Sequence, residues 1–229
     1  MNWDNVWKEK KYTTDFSIRW LDFLSKRGKN LSSGAKILEA GCGSGEGIAV
    51  LADKNRTAIG LDLSEEALAR TSSHEYVTAV KGDILDLPFP DNTFDLVFNS
   101  GVIEHYRYPG NIRQVKEMAR VTKKGGEILI SVPNSLCLWY ILVKKILLIF
   151  KAWKFGYEES YTPARLKKVA KKAGLRIISM TGFLCMPPLA TNTFEILPLA
   201  LRKKIALVEK FLPFRQFYCY SLCILCKKD

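Results

Sequence analysis

Three acidic residues, Glu39, Asp62 and Asp83, each close a short apolar run, and four alternating glycines, Gly41, Gly43, Gly45 and Gly47, follow the first of them. Carboxylates at neighbouring strand ends accept hydrogen bonds from hydroxyl and amino groups. Glycine leaves the backbone free for positive φ or for the close approach of a ligand. Asp62 lies seventeen residues after Gly45, placed to accept hydrogen bonds from both ribose hydroxyls of a nucleotide. Asp83 can take an adenine amino group in the same way. The glycine spacing is GxGxG, with Glu46 where a dinucleotide fingerprint has its third glycine. An acid in that turn repels a pyrophosphate, so the set fits a cationic or hydroxyl-rich molecule better than a dinucleotide. His105 adds a group of near-neutral pKa suited to removing a proton, or to a structural bond with the loop backbone. His74, in the polar stretch SSHEY, reads as solvated.

The elements that hold these residues are legible as strand and helix patterns in alternation. Strand candidates are AKILEA (35–40), TAIGLDL (57–63), YVTAVKGD (76–83), FDLVFNS (94–100), EILISVPN (127–134), LRIISMTGF (175–183) and CYSLCILCKK (219–228). Helices are predicted over 45–53, from the Ser64 cap onward, over 110–126 with a lysine and glycine stop, and from Thr162-Pro163 to Gly174. Val-, Ile- and Leu-rich strands alternating with helices predict a parallel α/β sheet, and ligands of such sheets bind outside the carboxyl ends of the strands.

The six cysteines are scattered, which predicts a reduced, cytoplasmic protein with thiols buried. Cys223 and Cys226 form a CxxC, but on a strand they face opposite ways and make no metal site. The opening MNWDNVWKEKKYTTD is polar and lacks an apolar signal core. The length of 229 residues suits a single domain over 1–229.

The motifs EAGCGSG (39–45), GLDLS (60–64), KGDILDLPFPDNTFDLVFNSGVIEH (81–105) and GGEILISVPN (125–134) resemble the class I S-adenosylmethionine-dependent methyltransferases. The resemblance is close over 35–134 and weaker over 161–180. It implies a doubly wound, Rossmann-like seven-stranded sheet whose last strand is antiparallel, and S-adenosylmethionine as cofactor. It also implies roles. Glu39, Gly41 and Gly43, with Gly45 in the same loop, would serve the methionine end. Asp62 would hold the ribose and Leu63 would pack on the adenine. Asp83 and Ile84 would hold the adenine edge, and Asn99 and Ser100 would lie beside the methionine moiety. The segment 1–34 would fold over the cofactor as a helical lid, with Tyr12 facing the methyl, although Trp3, Trp7 and Phe16 at these spacings also read as simple packing. Ubiquinone-type O-methyltransferases carry ExxEH with a metal at the position of GVIEH; Gly101 replaces the first glutamate here, so no metal is expected.

Two inserts, 135–160 and 184–216, lie outside the cofactor-binding half. Residues 1–133 hold 18 Lys+Arg and 18 Asp+Glu, whereas residues 134–229 hold 17 and 5, so the net charge of +12 belongs to the second part. LCLWYILVKKILLIFKAW (136–153), set on a helix, gathers Trp139, Leu142, Ile146, Ile149, Phe150 and Trp153 on one face, with Lys144, Lys145, Lys151 and Lys154 opposite. Such a segment suits an anionic membrane surface over 136–154, a lid over a lipophilic pocket, or a helix packed on the sheet. The expected activity is methyl transfer to oxygen or carbon of a small lipophilic acceptor. An RNA methyltransferase is the first alternative, disfavoured because the aromatics are not interleaved with the lysines. A non-catalytic cofactor-binding scaffold is the second, disfavoured by the intact glycine loop and acids.

Overall fold

The computed structural model describes residues 3–8, 15–153, 155–185, 198–209 and 211–229. Tyr12 and Lys154 lie outside the described residues, as does 186–197 of the second insert. Seven strands form one sheet in the order β3-β2-β1-β4-β5-β7-β6. They are β1 (Lys36–Ala40), β2 (Thr57–Asp62), β3 (Val77–Lys81), β4 (Phe94–Ser100), β5 (Thr122–Pro133), β6 (Leu175–Phe183) and β7 (Ser221–Lys228). All pairs are parallel except those made by β7, which runs antiparallel to both β5 and β6. The strand order reverses between β1 and β4. That is the topological switch point, where a crevice opens at the carboxyl ends.

The helices are α1 (Trp3–Lys8), α2 (Asp15–Gly28), α3 (Glu46–Leu51), α4 (Glu65–Thr71), α5 (Gly110–Val121), α6 (Leu138–Ile149), α7 (Pro163–Lys172) and α8 (Leu199–Glu209). Local chemistry starts and stops several of them. The Ser64 hydroxyl accepts from the Ala67 amide at 3.2 Å, and Glu65 and Glu66 oppose the positive end of the α4 dipole. Thr162 caps α7 in the same way, Pro163 fills its first position, and Gly174 at φ 78 ends it.

Two apolar layers enclose the sheet. Strand side chains alternate in direction, so Val97, Ile128, Ile130 and Cys226 pack against Val115 and Met118 of α5 and Leu166 and Val169 of α7. Ile37, Leu96, Phe98, Leu129 and Cys223 pack on the other face against Trp20 and Leu24 of α2 and Ile48 and Leu51 of α3. Cys223 and Cys226 therefore do face opposite ways, and both are buried free thiols.

Two expectations change. The helix expected over 110–126 stops at Val121, and Lys123, Lys124, Gly125 and Gly126 belong to the start of β5. Pairing decides this: the Thr93 amide bonds the Val121 carbonyl, and Thr122 pairs with Phe94 before the register shifts. Gly125 sits at φ 74 in that irregularity, and Lys123 pairs with Asp95 at 2.8 Å. The two glycines bend a strand; they do not end a helix. The cysteines also depart from six thiols, because the fold brings Cys185 and Cys219, 34 residues apart, into a disulfide.

Candidate active site

A cavity of about 330 Å3 opens at the switch point, and its walls come from the ends of β1, β2 and β4, from α1, and from the segment after α6. The glycine loop forms part of its lining. Gly41, Gly43 and Gly45 lie at φ 82, 53 and 75, a region that L side chains rarely adopt. The Gly41 and Cys42 amides bond the Leu61 carbonyl at 2.7 and 2.9 Å, which seats the loop on the end of β2. The Gly43 carbonyl accepts from the Thr71 hydroxyl at 2.9 Å. His74 is not merely solvated: its Nε2 lies 2.9 Å from the Ser44 carbonyl, so the end of α4 ties down the loop.

Glu39 and Gly47 are a matched pair. A Glu39 oxygen accepts from the Ile48 amide at 2.8 Å, and a Cβ on residue 47 would come within 2.4 Å of the other. Glu39 is thus held at the start of α3 while it lines the cavity. The two oxygens of Asp62 accept from the Gly43 amide at 2.8 Å and the Ser64 amide at 2.9 Å. Burial raises its pKa, and the amides of Ser64, Gly43 and Leu63 oppose that rise. Leu63 and Ile84 present apolar surface beside it, and Ser100 lines the adjoining wall.

Glu39, Gly41, Gly43, Asp62, Leu63, Ile84 and Ser100 therefore converge on one cavity. Gly45, Asp83 and Asn99 stand behind its wall among the described residues. Gly45 packs on Thr71. Asp83 is folded into its own turn, accepting from the Leu85 amide at 2.9 Å. Asn99 is fully buried on the opposite side of β4 from Ser100, its amide 3.4 Å from the Met118 sulfur. Strand alternation explains the last case, since neighbours on β4 cannot both face the crevice.

Helix α1 covers the loop. The Trp7 ring lies so close over Gly43 that a Cβ there would come within 2.1 Å of it. Asp4 accepts from the Ser64 hydroxyl at 2.5 Å. Of the 1–34 segment, α2 packs in the core through Trp20 and Leu24 and reaches the cavity at Ser17, Trp20 and Leu21.

The same cavity is lined by the aromatic residues Trp3, Tyr106, Trp153, Phe155 and Tyr220 and by Glu104, His105 and Glu158. The His105 Nδ1 lies 2.8 Å from the Tyr157 carbonyl, so Nδ1 carries the proton and Nε2 the lone pair. Burial lowers its pKa and so favours the neutral ring, and Trp3 meets it edge-on at 4.8 Å. Glu104 is 1% exposed, and its Oε2 has no hydrogen-bond partner. Burial pushes its carboxyl well above the ordinary range; Glu158 adds to the rise and Lys144 opposes it. Glu158 is bonded by the Tyr140 hydroxyl and by Lys144 at 2.8 Å. Sequence patterns flagged Glu104 only as a neighbour of His105 and passed over Glu158. The available signal was that Glu158 is one of just five acids in residues 134–229. Among the described residues, no group of three or more His, Cys, Asp or Glu side chains could hold a metal.

The loop and acids fit an adenosyl cofactor: a glycine loop with positive φ, and the apolar Leu63 and Ile84 beside the Asp62 carboxylate on one cavity. Comparisons with known proteins agree. A family model described as a methyltransferase domain matches residues 38–130. A probable S-adenosylmethionine-dependent methyltransferase of Mycolicibacterium smegmatis is 39% identical over 105 residues, which is 45% of this chain and 40% of that protein. The match thus spans well under half the length of that curated relative. A ubiquinone biosynthesis O-methyltransferase of Thiobacillus denitrificans is 29% identical across 74% of this chain and 75% of its own. A solved methyltransferase of Thermotoga maritima, described as a possible histamine N-methyltransferase, superposes with a TM-score of 0.67 at 21% identity, covering 93% of this chain and 92% of that one.

Proposed function

We propose that this chain, a member of the class I S-adenosylmethionine-dependent methyltransferase superfamily, methylates a small lipophilic acceptor on oxygen or carbon. The observation that carries this reading is the single cavity whose lining joins Glu39, Gly41, Gly43 and Asp62 to Trp3, Trp153, Phe155 and His105. Bound S-adenosylmethionine supplies an activated methyl group on a sulfonium leaving group.

In this reading Asp62 accepts from the ribose hydroxyls, Leu63 and Ile84 flank the adenine, and Glu39 and the Gly41–Gly43 backbone receive the methionine end. Asp83 acts at the adenine edge through its turn, and Asn99 supports Ser100 from behind. Tyr12, outside the described residues, keeps its proposed place facing the methyl. Positioning in a water-poor chamber supplies much of the acceleration, since the leaving group needs no help. The aromatic walls select an apolar acceptor and exclude water. The lone pair on His105 Nε2 takes the proton from the acceptor. Glu104 lines the same cavity, its carboxyl driven toward the neutral form by burial. The quinone-type O-methyltransferase among the relatives supports an acceptor of this class.

Calorimetry with S-adenosylhomocysteine and with NAD tests the cofactor half. The first should bind and the second should not. Asp62→Ala should weaken binding by roughly 1.5–3 kcal/mol, the worth of a hydrogen bond to a charged group. Unchanged affinity would remove the ribose assignment. Radiolabelled cofactor incubated with a lipid extract should yield a labelled apolar product, and label found only in water-soluble products would overturn the acceptor class.

A further inference from the structure

Helix α6 has two faces of different chemistry. Toward the protein it turns Cys137, Tyr140 and Lys144; the Tyr140 ring packs on Tyr220 at 4.7 Å and Lys144 reaches Glu158. Lys144 is therefore not on the outer basic arc that sequence periodicity suggested. Toward solvent the helix presents Leu138, Leu142, Ile149 and Phe150, exposed by 84, 61, 75 and 76%, and Val143, Ile146 and Leu148 are exposed beside them. A water-facing helix surface ordinarily carries polar side chains. Here the polar groups are cationic: Lys145 and Lys151 are exposed, and no acid occurs from Asn134 to Tyr157. The second insert repeats the character, with Val208, Phe211 and Phe214 exposed by 68, 88 and 72%, and Lys203 and Lys204 also in solvent. Both inserts leave the same end of the sheet, because Pro133 of β5 pairs with Ser221 of antiparallel β7. The cavity opens at that end, and Trp153 and Phe155, just past α6, line it.

We propose that the outer face of α6 docks on an anionic lipid bilayer, and that the acceptor enters the cavity from the bilayer past Trp153 and Phe155. Charge complementarity selects this occupant. Apolar side chains rimmed by lysines gain from acyl burial and from lipid phosphate together, whereas a second copy of the same face would bring like charges together. At 12 residues α6 lies on a bilayer and does not cross it, and no helix of the described residues is long and apolar enough to do so. The acceptor's route rests on the methyltransferase reading; the docking does not.

Co-sedimentation of the full chain tests it, using vesicles of phosphatidylcholine alone and of equal parts phosphatidylcholine and phosphatidylglycerol. Binding is expected to the anionic vesicles, falling about tenfold or more in about 0.5 M salt, where the screening length is only a few ångströms. The Ile149→Glu, Phe150→Glu variant changes two solvent-facing side chains, so it should keep its affinity for S-adenosylhomocysteine and lose vesicle binding about tenfold or more. No binding, or equal binding by the variant, overturns the docking. Binding to a single-stranded RNA oligomer in place of vesicles also overturns it. Brominated lipid should quench tryptophan emission, and Trp153→Phe should remove most of that quenching; bound protein without it overturns the entry route. Failure to bind S-adenosylhomocysteine with vesicle binding intact would instead overturn the methyltransferase reading.

Discussion

At the scale of single residues, the two neighbours Glu104 and His105 are driven in opposite directions by the same burial. A buried imidazole loses its proton more easily and a buried carboxylic acid keeps it longer, so burial drives both toward their neutral forms. His105→Ala should lower turnover by about a hundredfold or more while leaving cofactor affinity intact. In the wild type the acid limb of the pH–rate profile should rise below the ordinary histidine pKa, because the folded value is depressed. A profile unchanged in the variant would make the histidine structural. Glu104 bears on stability. Its folded pKa lies above its unfolded value, so its contribution is fully present below the unfolded pKa and is lost as pH rises through the folded one. Glu104→Gln cannot ionise. Urea unfolding at about pH 5 and pH 8 should therefore show a smaller loss on going to pH 8 in Glu104→Gln than in the wild type. Equal losses would mean that Glu104 ionises freely in the folded protein.

At the scale of elements, the cavity depends on pieces clamped from outside it. Helix α1 is six residues long, too short to be stable alone, and it is seated by the contact of Trp7 with Gly43 and by Asp4 on Ser64. Gly43→Ala should destabilise by about 1–3 kcal/mol, combining the cost of positive φ with the collision. In a Trp7→Ala background that cost should shrink, because the collision is gone and the φ cost remains. Equal costs in the two backgrounds, measured by urea unfolding, would show that α1 does not press on the loop. Helix α6 is clamped by Lys144, which meets a Glu158 side chain only 6% exposed. Lys144→Ala leaves that carboxylate buried without its ion-pair partner and should cost roughly 3–5 kcal/mol. A cost below about 1 kcal/mol would place the pair in water, as for an ordinary surface bridge.

At the scale of the whole molecule, the cavity is built on the same sheet and apolar layers that form the core. A ligand that binds only the folded chain stabilises it by about 2.7 kcal/mol at a hundredfold excess over Kd. For a chain of this size S-adenosylhomocysteine should raise Tm by roughly 5 °C or more, and NAD should leave it unchanged. Equal shifts would show that the cavity does not distinguish an adenosyl thioether from a dinucleotide. The sheet and the glycine loop with its flanking carboxylates are legible in the sequence because their signals are local. A strand of Val, Ile and Leu ending in an acid, then GxGxG, then a strand ending in Asp62, specify neighbours along the chain and the backbone each requires. The other features join distant residues. Whether Lys123–Gly126 ends α5 or starts β5 depends on pairing with β4. Whether Cys185 meets Cys219 depends on the turn before β7. His74 finds Ser44 across 30 residues. Lys144 faces inward because Glu158, fourteen positions on, returns beneath α6. Helical periodicity groups side chains by angle but does not say which angle faces the protein. Burial at Glu104 follows from packing by segments far away in sequence. The sequence by itself determined the strand-end carboxylate Asp62 and the glycine loop it bonds; tertiary structure alone decided what stands opposite them.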